Sequence, residues 1–136
     1  IASDRAKMGS TFVSVGLVPG DGGAYLLART IGFPRALEMI LSSRMVSPDE
    51  ALQMGLVNRV VLHEKLLDES LVMAQMFTKQ PPQALRLAKR AAYAAWDSDL
   101  HAALETAATY QAIAQNTPEH AERVQALISS ARPPKP

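Results

Sequence analysis

A chain of 136 residues is long enough for one compact domain, or for a small domain with an appendage. Its formal net charge of +1, with acids and bases interspersed, gives no electrostatic footprint for nucleic acid. With no cysteine it has neither disulfides nor thiol catalysis; no apolar run reaches membrane-spanning length and no leader pattern opens it, which suits a reducing, cytoplasmic setting.

Hydrophobic residues make up 48% of the chain but aromatics only 5%, and much of the apolar content is alanine and leucine, which favours helix. Ile1 enters mid-pattern with no cap or polar lead-in, so the sequence reads as part of something longer. Residues 1–9 are weakly periodic and predict an extended segment or turn. The β-branched, apolar run Phe12, Val13, Val15 then predicts a buried strand or extended segment. Pro19-Gly20-Asp21-Gly22-Gly23 follows as a hard turn, and a helix over 24–30 closes at Gly32. Three glycines in four residues permit positive φ and close approach to the backbone. The helix behind them points unpaired N–H groups and the positive end of its dipole into the turn, which suits a carbonyl oxygen, a phosphate or a polarised water.

Pro34 sits in the first turn of a second helix over 35–42. Ser47-Pro48-Asp49-Glu50 predicts a capped start with a capping box, and the short helix it opens ends at Gly55. Residues 56–62 read as a strand, and 63–79 as a helix broken by Gln80-Pro81-Pro82, where a domain boundary is placed (1–79 and 80–136). The helix over 83–96 carries a narrow alanine stripe suited to close packing. Asp97 or Ser98 is expected to cap the next helix, to about Gln115. Thr117-Pro118 starts the last helix, and 132–136 reads as a frayed tail.

Several of these residues look familiar together. Ala2-Ser3, Ala6-Lys7-Met8-Gly9, Val15-Gly16-Leu17-Val18-Pro19-Gly20, Gly22-Gly23, Arg29, Ile31-Gly32, Arg35-Ala36, Glu38-Met39, Ala51, Gly55-Leu56-Val57 and Val60-Val61 form, in order, a series that resembles the crotonase (enoyl-CoA hydratase/isomerase) superfamily. Ala84-Leu85, Ala88-Lys89, Glu122 and Ala126-Leu127 continue it into the family's helical end. The match is to the C-terminal half of the usual family chain. The resemblance implies an α/β fold: part of a crotonase-like spiral ββα core over 1–79, then a helical oligomerisation region over 80–136 that builds trimers or hexamers, the piece in hand being mostly α. It implies acyl thioesters of coenzyme A as substrate with no further cofactor, and an enolate stabilised by two backbone N–H groups. Both donors, and one of the two carboxylates that hydratases use, would lie upstream.

The second carboxylate should stand four residues before Gly16, where this chain has Phe12, and a phenyl ring carries no proton. By the same alignment Gly20 matches a residue whose N–H helps to hold a water; Gly22, Gly23 and Tyr25 are the candidate substrate-binding residues. Asp21 stands one residue after the position where some relatives place an acid. It reads either as that acid or as a cap for the following helix, accepting an N–H bond from Gly23 or Ala24. Arg86, Lys89 and Arg90 share a helix face that either meets coenzyme A phosphates or is simply solvated. Tyr25 and Trp96 also suit packing roles within their helices. His63, His101 and His120 are too scattered to be metal ligands. The alternative to an enzyme is a non-catalytic assembly module, for which Phe12 speaks.

Overall fold

The computed structural model describes residues 1–130; the tail expected over 132–136 lies outside them. The chain divides within a helix into two compact units, Ile1–Val72 and one beginning at Met73.

The first unit holds four two-residue strands. β1 (Ala2–Ser3) pairs in parallel with β4 (Val60–Val61), and β2 (Met8–Gly9) pairs antiparallel with β3 (Met45–Val46). Parallel pairing requires a long crossover, and the chain between β1 and β4 supplies β2, β3 and three helices. These are α1 (Gly23–Ile31), α2 (Phe33–Ser42) and α3 (Pro48–Gln53). Gly32, at φ 83°, turns the chain between α1 and α2. The Ser47 hydroxyl accepts the Glu50 N–H at 3.2 Å, with Pro48 at the first helical position, as the capping motif predicts. At the other end of α3, Gly55 (φ 81°) sends its N–H to the Leu52 carbonyl, and Leu56 sends its own to Ala51. That pair of bonds is a Schellman motif. Ile31, Ala36, Met39, Val46 and Ala51 form the core between these helices and β3.

Two expectations for the first unit need correction. The run Phe12–Val15 is neither strand nor extended: Phe12 has helical dihedrals and Val13–Val15 form a 3-10 turn ending at Gly16, φ 76°. Its β-branched residues have no strand to pair with, and Val15 is 71% exposed. The strand expected over 56–62 shrinks to Val60–Val61, because Leu56 and Val57 spend their N–H groups on the end of α3.

Arg44 ties this unit together. Its guanidinium donates to Glu38 on α2 at 2.9 Å and to Glu50 on α3 at 2.6 Å. The Arg44 bond, more than any other contact, holds the Glu50 carboxyl below the usual glutamate range, with the Ser47 N–H adding to it. The same bonds to Glu50 and Glu38 raise Arg44. A depressed carboxyl stabilises the fold at and above the ordinary glutamate range and loses that contribution as pH falls through its folded value. Thermal midpoints are therefore expected to fall on acidification below that range, and Glu50→Gln to flatten the dependence; an unchanged acid slope in the variant would refute it.

Close packing also fixes β2. A Cβ built on Gly9 would stand 2.6 Å from Met45 Sδ and 3.0 Å from the Arg44 carbonyl oxygen. The sulfur can swing aside but the carbonyl belongs to the backbone immediately before β3, so Gly9→Ala is expected to destabilise by about 1–3 kcal/mol in urea unfolding.

The helix α4 (Leu66–Thr78) follows a 3-10 turn at His63–Lys65 and contains the division between the units. In the second unit, α5 (Pro82–Trp96), α6 (Leu100–Gln115) and α7 (Pro118–Ser130) follow in sequence. The alanine stripe of α5 meets α6: Ala84, Ala88 and Ala91 share a groove with Ala107, Tyr110 and Ala114. The cap of α6 is Asp99 rather than Asp97 or Ser98, its carboxylate accepting the Ala102 N–H at 2.9 Å. Trp96 is 46% and Tyr25 44% exposed, so neither is a core residue of its unit. No helix among the described residues is long and apolar enough to cross a membrane.

Candidate active-site turn

The glycine turn stands at the head of α1 and is open. Gly22, in the left-handed conformation at φ 86°, is the residue that enters the helix, a backbone state that only glycine reaches freely. Asp21 lies one position earlier, and its Oδ1 accepts the Gly23 N–H at 2.8 Å. Of the two alternative donors expected for a cap, Gly23 supplies the bond, and Asp21 makes it from just outside the helix. It occupies the Gly23 N–H, which leaves that group no donor for a ligand. The other carboxylate oxygen has no hydrogen-bond partner among the described residues, nor has the Gly20 N–H.

Phe12 is half-buried at the start of the 3-10 turn, its carbonyl accepting the N–H groups of Val15 and Leu17. Ser10, just ahead, is buried with its hydroxyl unpaired among the described residues. Tyr25 meets its neighbour one helical turn on at one face of its ring, with the Arg29 guanidinium carbon 3.5 Å from the ring centroid. Beside β2, a cleft of about 530 Å³ is lined by Met8, Gly9, Leu27, Met39, Leu56 and Val57, among others. The aliphatic side chains around the turn stay uncovered, Val18 at 77% exposure.

Arg86, Lys89 and Arg90 lie in the other unit, on α5. Lys89 sits 5.9 Å from the Tyr93 ring and Arg90 5.5 Å from the Tyr110 ring, while Arg86 has no ion-pair partner among the described residues. The histidines are dispersed, and His63 bonds Ser3 Oγ at 3.1 Å. Among the described residues no group of three or more histidine, aspartate or glutamate side chains is placed to hold a metal.

The site missed in the sequence is the link between α2 and the 3-10 turn: Ser43, at φ 52°, accepts the Ser14 N–H on its hydroxyl at 3.1 Å. No local pattern signals it, since the partners are 29 residues apart.

A glycine turn feeding a helix, beside short strands in a mostly helical chain, is the setting in which the comparisons with known proteins fall. The sequence matches the enoyl-CoA hydratase/isomerase family over residues 1–133, and the chain belongs to that family. It is 39% identical over 100 residues to a probable enoyl-CoA hydratase of Mycobacterium leprae, covering 74% of this chain and 39% of that one. A short-chain-enoyl-CoA hydratase of Clostridioides difficile is 35% identical over 105 residues, 77% of this chain and 68% of the relative. Among solved structures, an enoyl-CoA hydratase subunit from Geobacillus kaustophilus superposes with a TM-score of 0.92 at 34% identity, covering 100% of this chain and 53% of its own. The chain thus spans about half the length of that structure and less of the M. leprae relative.

Proposed function

We propose that this chain supplies the C-terminal half of an acyl-CoA site of the hydratase/isomerase kind, in a cytoplasmic protein needing no cofactor beyond its thioester substrate. The observation that carries the reading is Asp21: an exposed carboxylate at the mouth of the glycine turn, one oxygen fixed by the Gly23 N–H and the other open. Family membership and the half-length match support it. So do the uncovered aliphatic side chains of the turn, which call for more protein or a substrate against them.

In this reading the thioester carbonyl is polarised by donors in the complementary half, acidifying the proton on the α-carbon and activating the conjugated double bond. The open oxygen of Asp21 takes a proton and returns it, so that it moves between carbons, or accompanies the addition of water to the β-carbon. Phe12 takes no part in proton transfer, and Gly20 presents its N–H to water. Residues 1–79 form the end of the spiral core, and 80–136 a region that assembles trimers or hexamers. Leu100 at 76% exposure and Leu127 at 68% support the latter. Arg86, Lys89 and Arg90, none of them in an ion pair among the described residues, are the cations offered to a coenzyme A phosphate.

A second reading, an assembly module without chemistry, is favoured by Phe12 itself. The two separate in the full-length gene product assayed with a crotonyl thioester. Hydration or isomerisation that depends on Asp21 supports the enzyme, and none supports the module.

A further inference from the structure

Ser43 closes α2 at φ 52°, ψ 22°, and is the one residue other than glycine with positive φ among those described. Glycine would adopt this conformation without strain, so the backbone does not explain a serine here. Its side chain does something glycine cannot. The hydroxyl accepts the Ser14 N–H at 3.1 Å, inside the 3-10 turn, and the Ser14 hydroxyl in turn donates to the Thr11 carbonyl at 2.6 Å. The conformation is fixed from the other side by Arg44, whose N–H donates to Ser42 Oγ at 3.3 Å while its guanidinium holds Glu38 and Glu50. A strained residue thus stands between a clamped arginine and the turn that carries Phe12 and leads into Gly16.

We infer that Ser43 is a positioning residue, its hydroxyl holding the turn at 12–16 and so setting the path of the chain into Asp21. The consequence for activity rests on the acyl-CoA reading; the consequence for the turn does not. The test compares Ser43→Gly and Ser43→Asn in the full-length gene product, by amide hydrogen exchange, thermal midpoint, and kcat and KM for a crotonyl thioester. Ser43→Gly relieves the strain, so the midpoint is expected to hold or rise, while exchange at the Ser14 amide quickens about tenfold. Turnover is expected to drop about tenfold in kcat with KM within about twofold, as misplacement rather than lost affinity would give. Asparagine tolerates positive φ and carries a carbonyl acceptor, so Ser43→Asn is expected to recover most of both. Unchanged Ser14 exchange in Ser43→Gly overturns the inference, and so does faster exchange with unaltered kcat. Absence of thioester turnover in the unmodified protein counts against the acyl-CoA reading, and the exchange result still decides whether the hydroxyl holds the turn.

Discussion

Asp21→Asn is expected to lower turnover of a crotonyl thioester by about 100-fold or more, with little change in stability. The size follows from the role: a positioned side chain that moves a proton contributes about 10²–10⁴ in rate. Stability should hold because the amide oxygen of asparagine can accept the Gly23 N–H as the carboxylate does at 2.8 Å, keeping the turn in shape. That separation makes the variant decisive, since a residue that only shapes the turn would be replaced almost silently. Asparagine before glycine deamidates slowly back to an acid, and residue 22 is glycine, so the measurement belongs on fresh protein. Asp21→Ser, whose hydroxyl can make the same local bond, serves as the independent check. Turnover equal to the parent in both variants would remove Asp21 from the chemistry.

Much of the first unit is legible in the sequence because its signals are local. Ser47-Pro48-Asp49-Glu50 and Gly55 bracket α3 where their side-chain and backbone chemistry places them. Gly32 and Pro34 likewise mark the passage from α1 to α2. The failures are nonlocal. The strand propensity of Phe12, Val13 and Val15 is real, but a strand needs a partner edge, and in the described residues the N–H groups of Val15, Gly16 and Leu17 turn back to carbonyls within the same bend. Met45–Val46 shows no strand signal of its own and becomes β3 because Met8–Gly9 lies opposite. At the candidate site, the glycine turn, Asp21 within it and Phe12 ahead of it are all visible in sequence. The bond between Ser43 and Ser14 is not, since it joins two surface-type serines through a backbone conformation that composition does not encode.

Met39→Ala is expected to cost about 2–3 kcal/mol in the free energy of unfolding, measured by urea titration. Met39 is 2% exposed and sits in the core with Ile31, Ala36, Val46 and Ala51, of which two are already alanine. Truncating a buried methionine removes its transfer energy and leaves a void, together about 2–5 kcal/mol. The lower half of that range applies here because Met39 also lines the 530 Å³ cleft, so the new space joins an open one instead of remaining sealed. Met39→Leu conserves volume and should cost less than about 1.5 kcal/mol. Against a total stability on the order of 5–15 kcal/mol, the alanine variant tests how much of the unit depends on so few buried side chains. It also bears on the turn, since α2 carries both Met39 in the core and Ser43 at its end. If the helix is held mainly by its core face, Met39→Ala should loosen the Ser43 to Ser14 bond as well and quicken exchange at the Ser14 amide. If Arg44 and its two glutamates suffice to hold that end, exchange at Ser14 should stay slow while global stability falls.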